Sequence, residues 1–177
     1  MSIKNVIVRN DGGMHFSATT GSGFPVAFDS GDGQTAAGPT EVLLAALAAC
    51  SAMDVVSILA KKRQRFDRYE IHVRGDQRDG YPQVFSRIDV IHELEGPVVQ
   101  LTALRRCIEL SATKYCPINA MLSAGATEIH HAYHLIRTGE QPLDEIGEVI
   151  VTGPYRRPDL LAPERTPLSR RGPGTQL

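Results

Sequence analysis

The chain is short of cysteine, of net charge and of long apolar runs, and each shortage narrows what it can be. Its three cysteines, at positions 50, 107 and 116, form no CxxC pair and no zinc-like cluster. A net charge of −1 with 22% charged residues supplies no global field for nucleic acid or an anionic membrane. The opening MSIKNVIVRNDGG lacks the apolar core of a signal peptide. One run, Val42 to Leu59, has the length of a membrane span, but Asp54 lies near its centre and no second span accompanies it. The expectation is a cytoplasmic, reducing setting, where paired cysteines are more often redox-active than structural. No metal and no organic cofactor are expected.

That single run is the most informative stretch of the chain. Between Val42 and Leu59 only Ser51, Asp54 and Ser57 fall outside the apolar set. Their spacing by three puts them on one narrow seam of a helix, with Cys50 and Asp54 one turn apart at its edge. A helix apolar around most of its circumference needs a core or a subunit interface to cover it. Thr40 is the expected N-cap, Glu41 suits the positive end of the helix dipole, and Lys61, Lys62 and Arg63 suit its C-terminus.

Around this helix the pattern has mostly period two. Residues 3–9, MHFSATT and FPVAFDS are separated by Asn-Asp-Gly-Gly and Gly-Ser-Gly turns and read as a meander of short strands. RYEIHVRG and VFSRIDVIHELEG read as a second hairpin. LTALRRCIELSATK places Leu101, Leu104, Ile108 and Ala112 on one helical face, with Cys107 beside it as a core residue. Pro117 then suits the first position of a short helix, with Cys116 at its N-cap and Gly125 just past its end. TEIHHAYHLIRTG and GEVIVTG close the chain as strands. The expected fold class is α+β, with antiparallel sheets around a long cysteine-bearing helix. Residues 1–153 form the expected domain, and the Pro/Arg-rich residues 154–177 an extended or disordered tail.

Four stretches carry a resemblance to the OsmC/Ohr family of thiol peroxidases. They are GGMHFSATTGSG, GPTEVLLAALAACSAMDVV, LRRCIELSATKYCPINAML and TEIHHAYHL, in that order. The chain looks closer to the less characterised OsmC-like branch than to Ohr itself. The resemblance implies an intertwined α+β homodimer with its sites at the subunit interface. It implies reduction of organic hydroperoxides in oxidative or osmotic stress defence, with Cys50 peroxidatic and Cys116 resolving. A small thiol or dithiol would be the reductant. Better-studied members place an arginine after the Gly-Gly turn and a glutamate ten residues before the first cysteine. Here those places hold Met14, followed by His15, and Thr40, followed by Glu41. His15, Glu41 and Asp54 are therefore the possible supporting residues.

The residues themselves leave alternatives open. A buried free cysteine is often just a small hydrophobe. Asp54 can orient a proton near Cys50, or form an ion pair with Lys114 or with a basic residue of a second subunit. An unpaired carboxylate there opposes thiolate formation. His130, His131 and His134 invite a metal reading, but on a strand only the first and third share a face. A dimeric small-molecule-binding, thiol-binding or redox-sensing protein of the same fold is the rival class. Covering the apolar helix requires a second copy, so light scattering at micromolar concentration should give twice the 19.3 kDa chain mass. A mass near that of one chain would overturn the homodimer.

Overall fold

In the computed structural model, which describes residues 3–30, 35–149 and 151, the strands separate into two sheets. The first is a meander of β1 (Val6–Gly12), β2 (His15–Thr20) and β3 (Pro25–Phe28), paired antiparallel throughout. Gly13, with φ of +55°, sits in the turn between β1 and β2, where the left-handed backbone suits glycine. Among the described elements this small sheet packs against almost nothing beyond its own strands. Its first strand is exposed along its whole length, including Val6, Ile7 and Val8.

The second sheet has the order β4 (Arg68–Gln77), β5 (Phe85–Gly96), β6 (Glu128–Arg137) and β7 (Leu143–Val149). It is mixed. β5 and β6 run parallel, which corrects the expectation of antiparallel sheets. The reason lies in the connection: α2 (Leu101–Leu110), a π-helical segment (Ser111–Tyr115) and α3 (Pro117–Ser123) span it, and a long helical crossover permits a parallel return. β5 alternates strictly from Ile88 to Gly96, burying even-numbered residues under the helices. Its other face carries charge pairs such as Arg87–Asp89 and Arg68–Glu93.

The central helix α1 (Pro39–Lys61) buries only Leu47, Ser51, Val55 and Leu59, residues four apart on one face. The opposite face leaves Ala45, Ala49, Met53, Val56 and Ala60 exposed. By length and composition this helix is also apolar enough to cross a membrane. Its start corrects the cap expectation. Pro39 takes the first helical position, the extended Gly38 is the N-cap, and Thr40 lies inside the first turn. The predicted C-terminus agrees, with Arg63 at φ +55° ending the helix. The second helix is interrupted: regular helix stops at Leu110, where continuous helix through Lys114 was expected. β7 begins four residues before the predicted strand, and the 154–177 tail lies outside the described residues.

Two buried histidines divide the core into two apolar clusters. One gathers Val55, Leu59, Leu94, Leu104 and Ile108; the other gathers Leu47, Phe85, Ile88, Val90 and Cys116. Between them His92 and His131 stack with ring centroids 5.8 Å apart. Tyr69 Oη lies 2.7 Å from His92 Nδ1, and Asn119 Oδ1 lies 3.0 Å from His131 Nε2. Burial pulls His92 well below the usual imidazole range and His131 down to about 4. Both are therefore neutral in the folded chain and must take up protons once unfolded at mildly acid pH. A folded pKa below the unfolded one removes stability as pH falls from about 6.5 towards 4. Each histidine contributes a slope of up to about 1.4 kcal/mol per pH unit. Urea midpoints measured between pH 7 and 4.5 should fall accordingly, and His131→Gln should remove one proton from the uptake on unfolding.

Candidate active site

Cys50 comes from the middle of α1, where the helix fixes its direction and leaves it half-buried. Cys116 comes from the end of the crossover. The π-helical segment holds one residue more than a regular turn, and Cys116 N–H closes it by donating to Ser111 O at 2.9 Å. Cys116 is the N-cap of α3, as expected, and accepts the Asn119 N–H at 3.3 Å. Pro117 at the first helical position forces the extended backbone that aims the thiol back at α1. The outcome is a convergence of three donors. Cys50 Sγ, Cys116 Sγ and an Asp54 carboxylate oxygen all lie within 4.8 Å of one another.

The polar seam of α1 splits between partners. Ser111 Oγ donates to Asp54 Oδ2 at 2.9 Å and lies 3.3 Å from Ser51 Oγ, with both serines fully buried. Ser57 stays exposed. Of the candidate partners for Asp54, Lys114 does not pair with it: Lys114 Nζ sits 5.4 Å from the Tyr115 ring centre. Asp54 has no cationic partner among the described residues, and its carboxylate accepts a hydrogen bond from the neutral Ser111 hydroxyl.

The thiols are unequal. Cys116 is only 2% exposed, and its thiol is pushed up to about 12. Burial is the largest cause, followed by the hydrogen bond with Cys50; the N–H of Asn119 pulls the other way. The N-cap therefore favours thiolate as expected, but burial outweighs it, and Cys116 keeps its proton at neutral pH. Cys107 is fully buried between Leu104 and Ile108, in the core as expected, and burial pushes its thiol up to about 11.

The other residues singled out in the sequence lie elsewhere. Glu41 Oε2 accepts the Gly38 N–H at 2.7 Å, so its carboxylate caps the start of α1. His15 Nδ1 lies 3.0 Å from Thr35 Oγ1 and 3.9 Å from Asp29 Oδ2, within the first sheet and its adjoining loop. The histidines of β6 diverge. His130 pairs with Glu128 at 3.5 Å, His134 with Asp144 at 2.9 Å, and His131 turns inward to Asn119. Ser111 and Asn119 are site-building residues that sequence patterning missed. Asn119 carries three bonds: its N–H to Cys116, its Nδ2 to Ala112 O at 2.9 Å, and its Oδ1 facing His131. Its place three residues after an N-cap was the one available signal.

Comparison with known proteins supports the same frame. A family model described as OsmC-like protein matches residues 31–131. Protein YhfA of Escherichia coli K12 is 35% identical over 124 residues, covering 70% of this chain and 92% of that protein. A hypothetical protein from Aquifex aeolicus VF5 superposes with a TM-score of 0.69 at 26% identity, over 78% of this chain and 99% of that one. The organic hydroperoxide resistance protein OhrB of Bacillus subtilis has a TM-score of 0.55 at 16% identity, over 75% and 98% of the two chains. With OhrB the likeness is one of fold.

The inequality of the thiols has a direct readout. Iodoacetamide at pH 7.5 should label Cys50 faster than Cys116 and Cys107 by at least about tenfold, because the thiolate is the reacting species and access is needed. Peptide mapping against time checks this, and equal labelling of Cys116 in the folded chain would contradict the burial argument.

Proposed function

The chain belongs to the OsmC-like protein family, and from that premise we propose that it is a thiol-dependent peroxidase acting on organic hydroperoxides. The observation that carries the reading is the approach of Cys50 and Cys116, a half-buried thiol beside a buried one that keeps its proton. Cys50, as thiolate, attacks the outer oxygen of ROOH; the O–O bond breaks, a proton is taken up, and Cys50–SOH and ROH form. Cys116–SH then condenses with the sulfenic acid, giving the Cys50–Cys116 disulfide and water. A dithiol reductant restores both thiols by exchange and leaves oxidised.

The buried Cys116 suits the resolving role because it stays a thiol until the sulfenic acid forms beside it. A disulfide needs sulfurs about 2.05 Å apart, so the pair must close. The apolar cluster that holds Cys50 and Cys116, with Leu47, Ile88, Val90, Ile118 and Leu122, gives the surroundings an apolar character that favours an organic peroxide over hydrogen peroxide. The exposed apolar faces of α1 and β1 support a homodimer in which a second copy covers them.

A second reading rests on the charge next to the pair. Asp54, an anion, lies within the cluster, while His15 and Glu41 are engaged elsewhere. That arrangement also suits a dimeric binding or redox-sensing protein of the same fold. Mixing reduced protein with one equivalent of cumene hydroperoxide, and separately of hydrogen peroxide, distinguishes the two. The enzyme reading expects loss of two thiols within seconds to minutes, faster with the organic peroxide, and a 50–116 disulfide by mass spectrometry. Cys50→Ser should abolish turnover, and Cys107→Ser should leave it near the original rate. No thiol loss over minutes would favour the binding reading.

A further inference from the structure

We propose that Cys50, Cys116 and Asp54 also form a reversible binding site for a soft divalent cation of the zinc type. The three side chains come from two segments far apart in sequence, which is why no metal-type spacing marks them. In space they present two sulfurs and a carboxylate oxygen within 4.8 Å of one another. Ligand atoms around a tetrahedral zinc lie roughly 3.5–3.8 Å apart, given Zn–S near 2.3 Å and Zn–O near 2.0–2.2 Å. Closing by about 1 Å brings the three onto one ion. Binding ionises both thiols, sends their two protons to solvent, and leaves a fourth position for water.

Charge argues for the same occupant. Among the described residues Asp54 pairs with no lysine or arginine, and it accepts a hydrogen bond from the Ser111 hydroxyl. That carboxylate places negative charge beside the two sulfurs. A divalent cation complements it, because its double positive charge offsets most of the negative charge of two thiolates and a carboxylate. Two thiolates among three ligands select a zinc-like ion over magnesium or calcium, which need oxygen donors. The outer contacts of a metal site are in place as well. Ser111 orients the carboxylate from 2.9 Å, and the Asn119 N–H orients Cys116 from 3.3 Å. Cys50 and Asp54 are half-buried, so the cation has a way in from their side.

The inference is independent of peroxidase activity and is tested by spectroscopy. Reduced full-length protein is titrated with Co²⁺ without oxygen, and then with Zn²⁺. The expected result is one Co²⁺ per chain, with thiolate-to-cobalt charge-transfer absorption of two sulfurs and the visible bands of tetrahedral cobalt, displaced by Zn²⁺. Cys50→Ser and Cys116→Ser should each remove about half of the charge-transfer intensity. Asp54→Asn should weaken binding by about tenfold or more. Cys107→Ser should change nothing. Alkylation mapping supplies an arm that needs no variant: one equivalent of Zn²⁺ should protect Cys50 of the natural protein. No charge-transfer band, or a band that Cys107→Ser removes, overturns the proposal, as does unprotected labelling of Cys50. A protein that reduces peroxide yet fails this titration disproves the cation site alone.

Discussion

The hydrogen bonds between Ser111 and the polar seam of α1 are the constraint on which the site depends. Two helices could meet across this core through apolar contact alone, but apolar contact does not fix how one slides along the other. A hydroxyl donating to a carboxylate in a shielded place does, because a hydrogen bond to a charged group contributes roughly 1.5–3 kcal/mol and is lost with small displacement. Ser51 and Asp54 are one turn apart at most, so Ser111 reads one point along α1. Five residues later, the chain delivers Cys116 to Cys50. The same contact also shields Asp54, which makes it a structural tie and a neighbour of the thiols at once.

Much of this was legible because it is written in local chemistry. Cys50 and Asp54 on one edge of an apolar helix follow from spacing, and Cys116 as an N-cap follows from the proline after it. The cation at Arg63 and the buried Cys107 follow from similar rules. What escaped is set by distant parts of the chain. Whether β5 pairs parallel or antiparallel with β6 depends on the direction of a two-helix crossover that no strand residue encodes. Lys114 is one candidate partner for Asp54 in the sequence, and nothing local to it tells which way its side chain turns. The π-helical segment rotates the serine to Asp54 instead, and sends the lysine over Tyr115. Thr40 has the side chain of a cap, yet Pro39 begins the helix one residue earlier and leaves Gly38 the role.

The two readings of the site share atoms but not conditions. Peroxide chemistry consumes the thiols and ends in a disulfide, which offers no thiolate to a cation. A cation holds the thiols as thiolates but shut away from a peroxide and from each other. The oxidation state of one pair therefore decides which chemistry is open. Asp54 has a different part in the two cases, a bystander carboxylate beside the thiols in one and a ligand in the other. The buried histidine layer adds a separate constraint. With the Tyr69 hydroxyl at His92 Nδ1 and His131 Nε2–H donating to Asn119 Oδ1, it ties the floor of the site to the centre of the sheet.

The π-helical segment has a consequence for how this region tolerates change. It is an insertion written into a helix, so the position of Cys116 depends on the number of residues after Leu110 more than on their identity. Removing one would turn everything beyond it by about 100° and point the second sulfur away from the first. Replacing a side chain there leaves the count intact. Length, in this stretch, is the feature that carries the chemistry, and two chains with the same cysteines but one residue's difference in spacing would not share a site.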